Sequence, residues 1–159
     1  MALTGAEEVS RLVETYSSML LRLACTRLEN PADAEEDVVQ EVFLKLLTAH
    51  PSFRDAEHEK AWLIRTTLHR AADLRKAASR RSVPLEEALL ASAPEPEDRL
   101  LAAVRALPEK YGAVIHLHYY EGYSLKEIGK LLGLPAATVG TRLARGRERL
   151  RQSLKEEIE

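Results

Sequence analysis

Apolar residues return every three or four positions along most of this chain, and proline, glycine and asparagine separate the runs, the signature of short amphipathic helices joined by turns. Val9, Leu12, Val13, Tyr16, Leu20 and Leu23 share one helical face, which Asn30-Pro31 ends. A second helix is predicted from about Asp33 to Leu47. Val39, Val42, Phe43 and Leu46 form its buried stripe, the acids of its first turn suit the helix dipole, and His50-Pro51-Ser52 breaks it. A third runs from about Glu57 to Ser79, with Ala61, Ile64, Leu68, Ala71 and Ala72 inside one narrow arc.

After Arg81 the pattern lapses. Ser82-Val83-Pro84, a short apolar-acidic stretch and Ala91-Ser92-Ala93-Pro94-Glu95-Pro96 read as a flexible linker. Helical spacing restarts with Leu100, Leu101, Val104 and Leu107, breaks at Pro108, resumes through Val114 and Leu117 to Tyr120, and stops at Glu121-Gly122. Ser124-Leu125-Lys126-Glu127 is a capping box that opens the next helix. That helix ends at Gly133, and Leu134-Pro135 leads into a last one carrying Val139, Leu143, Gly146 and Leu150. The expectation is an all-α chain of two small helical domains, residues 1–81 and 97–159, joined by a linker at 82–96.

Composition agrees with helix, and the charge distribution adds something the pattern does not show. The formal charge of −2 hides two basic patches: Arg65, Arg70, Arg75, Lys76, Arg80 and Arg81 against Asp73 alone, and Arg142, Arg145, Arg147, Arg149 and Arg151 against Glu148. Cys25 is the only cysteine, which excludes an intrachain disulfide and suits a reducing compartment. Met1 to Ser10 lacks the basic and apolar regions of a signal peptide, and no apolar run approaches the roughly 20 residues of a membrane span. A cytoplasmic protein without membrane insertion is expected.

The segment Leu125 to Arg147 reads as helix-turn-helix. Gly129 stands where two steeply crossing backbones must approach, Gly133 supplies the freedom of the turn, and Ile128, Leu134 and Val139 fill the wedge. Ala137, Thr141, Ala144, Arg145 and Glu148 are then left outward, near base edges if the helix enters a major groove. A plain helical hairpin is the bland alternative, against which stand the register of the motif and the excess of arginine. In the first half, Asp37, Gln40, Glu41 and Leu44 lie opposite the buried stripe, and a leucine ringed by acids and an amide suits protein docking. Trp62, Arg65, His69, Lys76 and Arg80 share a second stripe on the third helix, cations beside an aromatic, which suits unpaired DNA. Trp62 serves equally well as a core anchor.

The one cluster that suggests catalysis is His116, His118, Tyr119 and Tyr120. Residues i and i+2 of a helix point about 200° apart, so the two histidines share a site only if the backbone is irregular. With no Gly-rich phosphate loop and no nucleophile beside a base, no catalytic residue, metal or cofactor is expected.

Residues 137–147, Ala-Thr-Val-Gly-Thr-Arg-Leu-Ala-Arg-Gly-Arg, closely resemble the recognition-helix stretch of the extracytoplasmic-function sigma family, and residues 122–129 look like the entry to that motif. The resemblance implies that Ala137, Thr138, Gly140, Thr141, Arg142, Ala144 and Arg145 face the minus-thirty-five promoter element. Gly140 and Ala144 stand where family members often carry larger or basic side chains. Residues 34–43, Ala-Glu-Glu-Asp-Val-Val-Gln-Glu-Val-Phe, are similar to the family segment that grips the clamp of core RNA polymerase, which implies that Asp37, Gln40, Glu41 and Leu44 bind core. Ala61-Trp62-Leu63-Ile64-Arg65 with Asp73-Leu74-Arg75-Lys76 looks like the element that melts and reads the minus-ten region, His69 standing where asparagine is common.

The implied partners are bacterial core RNA polymerase, promoter DNA and an anti-sigma factor. Glu86, Glu87, Glu95 and Glu97 in and beside the linker would avoid tight capture by nucleic acid, and a plain tether explains them as well. The alternative reading is a stand-alone helix-turn-helix regulator that dimerises through its N-terminal helices.

Overall fold

A computed structural model describes residues 5–28, 30–49, 51–80 and 96–158. The expected linker, apart from Pro96, lies outside the described residues. Helix α1 is Gly5–Cys25. Helix α2 opens at Pro31–Asp33, passes through a π turn at Ala34–Val39 and ends as Gln40–Ala49. Helix α3, Ala56–Arg80, completes the first half. In the second half α4 is Pro96–Ala106, α5 is Glu109–Ile115 continued by a π turn at His116–Tyr120, α6 is Leu125–Leu132, and α7 is Ala136–Ile158. No strand occurs among the described residues.

The expected stripes form the cores. Leu12, Leu20 and Leu23 of α1 meet Val38, Val42, Phe43 and Leu46 of α2 and Leu63, Ile64, Leu68 and Ala71 of α3. Val13 and Leu100, expected on buried faces, are exposed: Val13 sits at the edge of its apolar arc, and Leu100 lies near the N-terminal end of α4. In the second half Val104, Leu107, Tyr111, Val114, Leu117, Ile128, Val139 and Leu143 fill the space among four helices.

Two features were not expected. Each π turn inserts one residue, so the Gln40 N–H donates to Glu35 O and the Glu121 N–H to His116 O, five positions back. The halves are also not separate: their buried residues form one continuous hydrophobic cluster, and α3 packs along α6.

Candidate nucleic-acid interface

The helix-turn-helix is built as its residues require. Ser124 Oγ accepts from the Glu127 N–H at 3.1 Å and the Glu127 carboxylate accepts from the Ser124 N–H at 3.1 Å, which also holds the Glu127 carboxyl below its usual pKa. Gly133 ends α6 at φ +72°, where a side chain would be strained. The chain then turns so tightly that a Cβ on Gly129 would lie 2.5 Å from the backbone oxygen of Leu134. Ile128 and Val139 are fully buried in the wedge, with Leu134 partly buried beside them.

This fixes which face of α7 is outward. Ala137, Thr141, Ala144 and Arg145 are exposed, while Thr138, Gly140 and Arg142 are half-buried. Thr141 Oγ1 donates to Ala137 O at 3.1 Å, an exchangeable local bond. The arginine excess divides. Arg147 donates to the Tyr119 hydroxyl at 3.1 Å, Arg149 lies over the Tyr111 ring, and Arg151 pairs with Glu148, so the second half of α7 is engaged locally. Arg142 and Arg145 belong to the half of the helix nearer its N-terminus, although Arg145 also hydrogen-bonds the Tyr111 hydroxyl.

On α2, Asp37, Gln40 and Glu41 are exposed around Leu44, which keeps 52% of its surface open. A groove beside them, lined by Glu41, Leu44, Lys45, Thr48, His69, Arg70 and Asp73, runs to the basic side of α3, and Arg70 Nε donates to Asp37 O at 3.0 Å. On α3, Arg65, His69 and Lys76 are exposed, and Trp62 is half-buried with its ring edge-on to Phe53 at 5.9 Å. The Arg80 side chain lies outside the described residues. Arg65, though exposed, has its guanidinium engaged: its Nε donates to Leu131 O at 2.6 Å and its Nη2 to Lys130 O at 3.1 Å, both in the last turn of α6.

The histidine cluster has the irregular backbone that a shared site would need, yet its rings part. His116 Nε2 meets the Glu121 carboxylate at 2.8 Å, and His118 Nδ1 meets Tyr123 O at 2.8 Å. Burial pushes the His116 imidazole below its ordinary pKa, outweighing Glu121, which raises it. Burial raises the Glu121 carboxyl, but the hydrogen bond from Arg22 and the charges of His116 and Arg22 bring it below the usual carboxylate value. No cluster of His, Cys, Asp and Glu able to hold a metal occurs among the described residues, and none of their helices is long and apolar enough to cross a membrane.

Sequence reasoning missed Arg27. Its guanidinium is buried across the two halves, donating to Val104 O at 2.8 Å and Leu107 O at 3.1 Å, and burial with Arg75 nearby lowers its pKa to about 10. A Cβ on Gly112, inside α5, would lie 1.7 Å from Arg27 Nη2. A glycine within an apolar helix was the available signal for this close approach.

Residues 12–81 match the sigma-70 region 2 family and residues 97–150 match sigma-70 region 4. The chain is 30% identical over 165 residues to the ECF RNA polymerase sigma factor SigW of Bacillus subtilis, covering 91% of this chain and 88% of that protein. It is 30% identical over 149 residues to the ECF RNA polymerase sigma factor SigM of Mycobacterium tuberculosis, covering 91% and 76%. Among solved structures, the sigma factor RpoE of Bartonella quintana, crystallised with the anti-sigma factor NepR, superimposes with a TM-score of 0.71 at 20% identity, over 94% of this chain and 98% of that one.

Proposed function

The chain belongs to the extracytoplasmic-function sigma factors of the sigma-70 family, and from that premise we propose how its surfaces divide the work of starting transcription. A sigma factor binds core RNA polymerase and directs it to promoters, contributing contacts while the polymerase makes the bonds. Here Asp37, Gln40, Glu41 and Leu44 are the docking patch for core, the exposed leucine giving apolar area and the acids complementing basic groups on the partner. Arg65, His69, Lys76 and Arg80 hold phosphates of the opened minus-ten strand, with the Trp62 edge available for packing against a base. The outward face of α7, from Ala137 and Thr138 through Gly140, Thr141, Arg142 and Ala144 to Arg145, enters the major groove of the minus-thirty-five element. Gly140 and Ala144 offer no polar side chain, so discrimination falls on Thr141, Arg142 and Arg145. By analogy with RpoE and NepR, an anti-sigma factor is the expected repressor.

The observation that carries the reading is the complete helix-turn-helix with Thr141 and Arg145 exposed on its second helix. Promoter binding measured with and without core polymerase tests it. Specific binding should require core, and Arg145→Ala should relax preference within the upstream element of a randomised promoter library, at a cost of about 1–3 kcal/mol if the contact is bidentate. Tight operator binding by the isolated protein would favour a stand-alone regulator instead.

A further inference from the structure

A guanidinium carries several N–H donors in a fixed plane at the end of a long flexible stem, so an exposed arginine loses rotamer freedom on binding unless the protein already holds it. Helix α7 carries Arg142, Arg145 and Arg149 three and four residues apart, which places them on one stripe of the helix. Beneath the last two lies Tyr111 of α5, only 4% exposed. Its place is fixed from the backbone outward. The Tyr111 and Gly112 N–H groups both donate to Pro108 O, at 2.9 and 3.1 Å, where α5 begins. Gly146 lets α7 come close at this point, for a Cβ on it would stand 3.3 Å from Tyr111 Cβ and 3.1 Å from Ile115 Cγ1.

The hydroxyl and the ring of this tyrosine each meet a cation. Arg145 donates to the hydroxyl, Arg149 lies over the ring at 4.9 Å from its centroid, and Lys110 lies over the same ring at 5.1 Å. Burial pushes the phenol up, but the Lys110 charge, the Arg145 hydrogen bond and the Arg149 charge outweigh it and hold it below its ordinary pKa. The neighbouring acid on α7, Glu148, is turned to Arg151 and Gln152 instead. Arg145 stays exposed, and one hydrogen bond to the hydroxyl leaves the rest of its fork free.

We propose that Tyr111 is a positioning residue for promoter recognition: packed between α5 and α7, it holds the Arg145 guanidinium in place before DNA arrives. That role rests on the reading of α7 as the helix that enters the minus-thirty-five major groove. Lys110 and Arg149 fix the ring, and the ring carries a hydroxyl that serves as a fixed post for Arg145. Arg145 then meets a base edge without first having to be ordered, so part of its discrimination comes from a residue of α5 and not from the helix-turn-helix itself.

The test compares wild type, Tyr111→Phe, Arg145→Ala and the double variant, each full-length and bound to core polymerase, on promoters whose minus-thirty-five element is randomised, with preferences read by sequencing the bound fraction. Phenylalanine keeps the ring under Arg149 and removes only the hydroxyl, and circular dichroism melts confirm the fold. Tyr111→Phe should weaken preference at the base position that Arg145→Ala relaxes, by about two- to tenfold, the cost of ordering one long side chain at an interface. Preference at the other positions should be unchanged. In the Arg145→Ala background Tyr111→Phe should add nothing, whereas a residue that only supported the domain would lower occupancy of all promoters alike. Nitrogen relaxation of the Arg145 Nε–H, measured by NMR on the free protein, reads the cause: the side chain should be ordered in wild type and mobile in Tyr111→Phe. Undiminished preference in Tyr111→Phe would overturn the positioning role, as would a further loss in the double variant or an Arg145 side chain equally mobile in both proteins. If Arg145→Ala itself leaves preference unchanged, it is the reading of α7 that fails, and the promoter role of Tyr111 with it.

Discussion

Two glycines of the helix-turn-helix make opposite demands. A side chain at Gly129 meets the rigid backbone oxygen of Leu134, whereas one at Gly140 meets only Leu125 Cδ1 at 3.6 Å, ordinary contact. Gly129→Ala should therefore destabilise the protein by about 1–3 kcal/mol through overpacking. Gly140→Ala should stabilise it by about 1 kcal/mol, because alanine restricts the unfolded chain and favours helix. Thermal melts of the two variants check the sign of each. The buried pair His116–Glu121 sets a pH dependence at the same scale. His116 is held neutral below its ordinary value of 6.5, so the unfolded chain binds its proton first, and stability falls as pH drops from 6.5 until the folded imidazole also titrates. Glu121 is depressed from 4.5, so its contribution is present above that value and is lost as pH falls through the lower folded value. Melting temperature should decline in two stages on acidification, and His116→Gln should remove the upper one.

At the scale of elements, α2 has one face in the core and one in solvent. Asp37→Arg combined with Leu44→Ala should weaken core polymerase binding by about tenfold or more while leaving the helical spectrum unchanged, since both side chains are exposed. Equilibrium binding to purified core decides it, and unchanged affinity would remove this face from the polymerase contact. The helices were legible because their signals are local: the stripe of Val39, Val42, Phe43 and Leu46, the Ser124 box and the Gly133 turn each act within a few residues. The π turns were not, because Ala34–Val39 and His116–Tyr120 are too short for a change of period to show in their apolar spacing. In the candidate site, exposure of Asp37, Thr141 and Arg145 followed from periodicity. That Arg65 leaves its stripe for the carbonyls of α6 depends on a partner 65 and 66 residues away, which no local pattern encodes.

For the whole molecule, what joins the halves matters as much as that they are joined. Most of the bonds run from guanidinium to neutral carbonyl, and the Arg27 pair is buried, so salt should screen them far less than a surface ion pair such as Arg22–Glu121. The scattering radius of the free protein should therefore hold steady up to an ionic strength on the order of 0.5 M, where an ion-pair junction, with a Debye length near 4 Å, would have loosened. Sequence pattern gave two domains and a tether but not their contact, because a buried arginine reads in sequence like a solvated one. Gly112 and Arg27 carry a consequence for recombination. One is a notch and the other the tongue that fills it, and they are contributed by different halves of the chain. A hybrid in which the second half comes from another sigma factor with alanine at the position of Gly112 would keep both folded units and lose their fit. Such a hybrid should become extended even if every DNA-reading residue were retained, and restoring glycine at that single position should bring its halves back together.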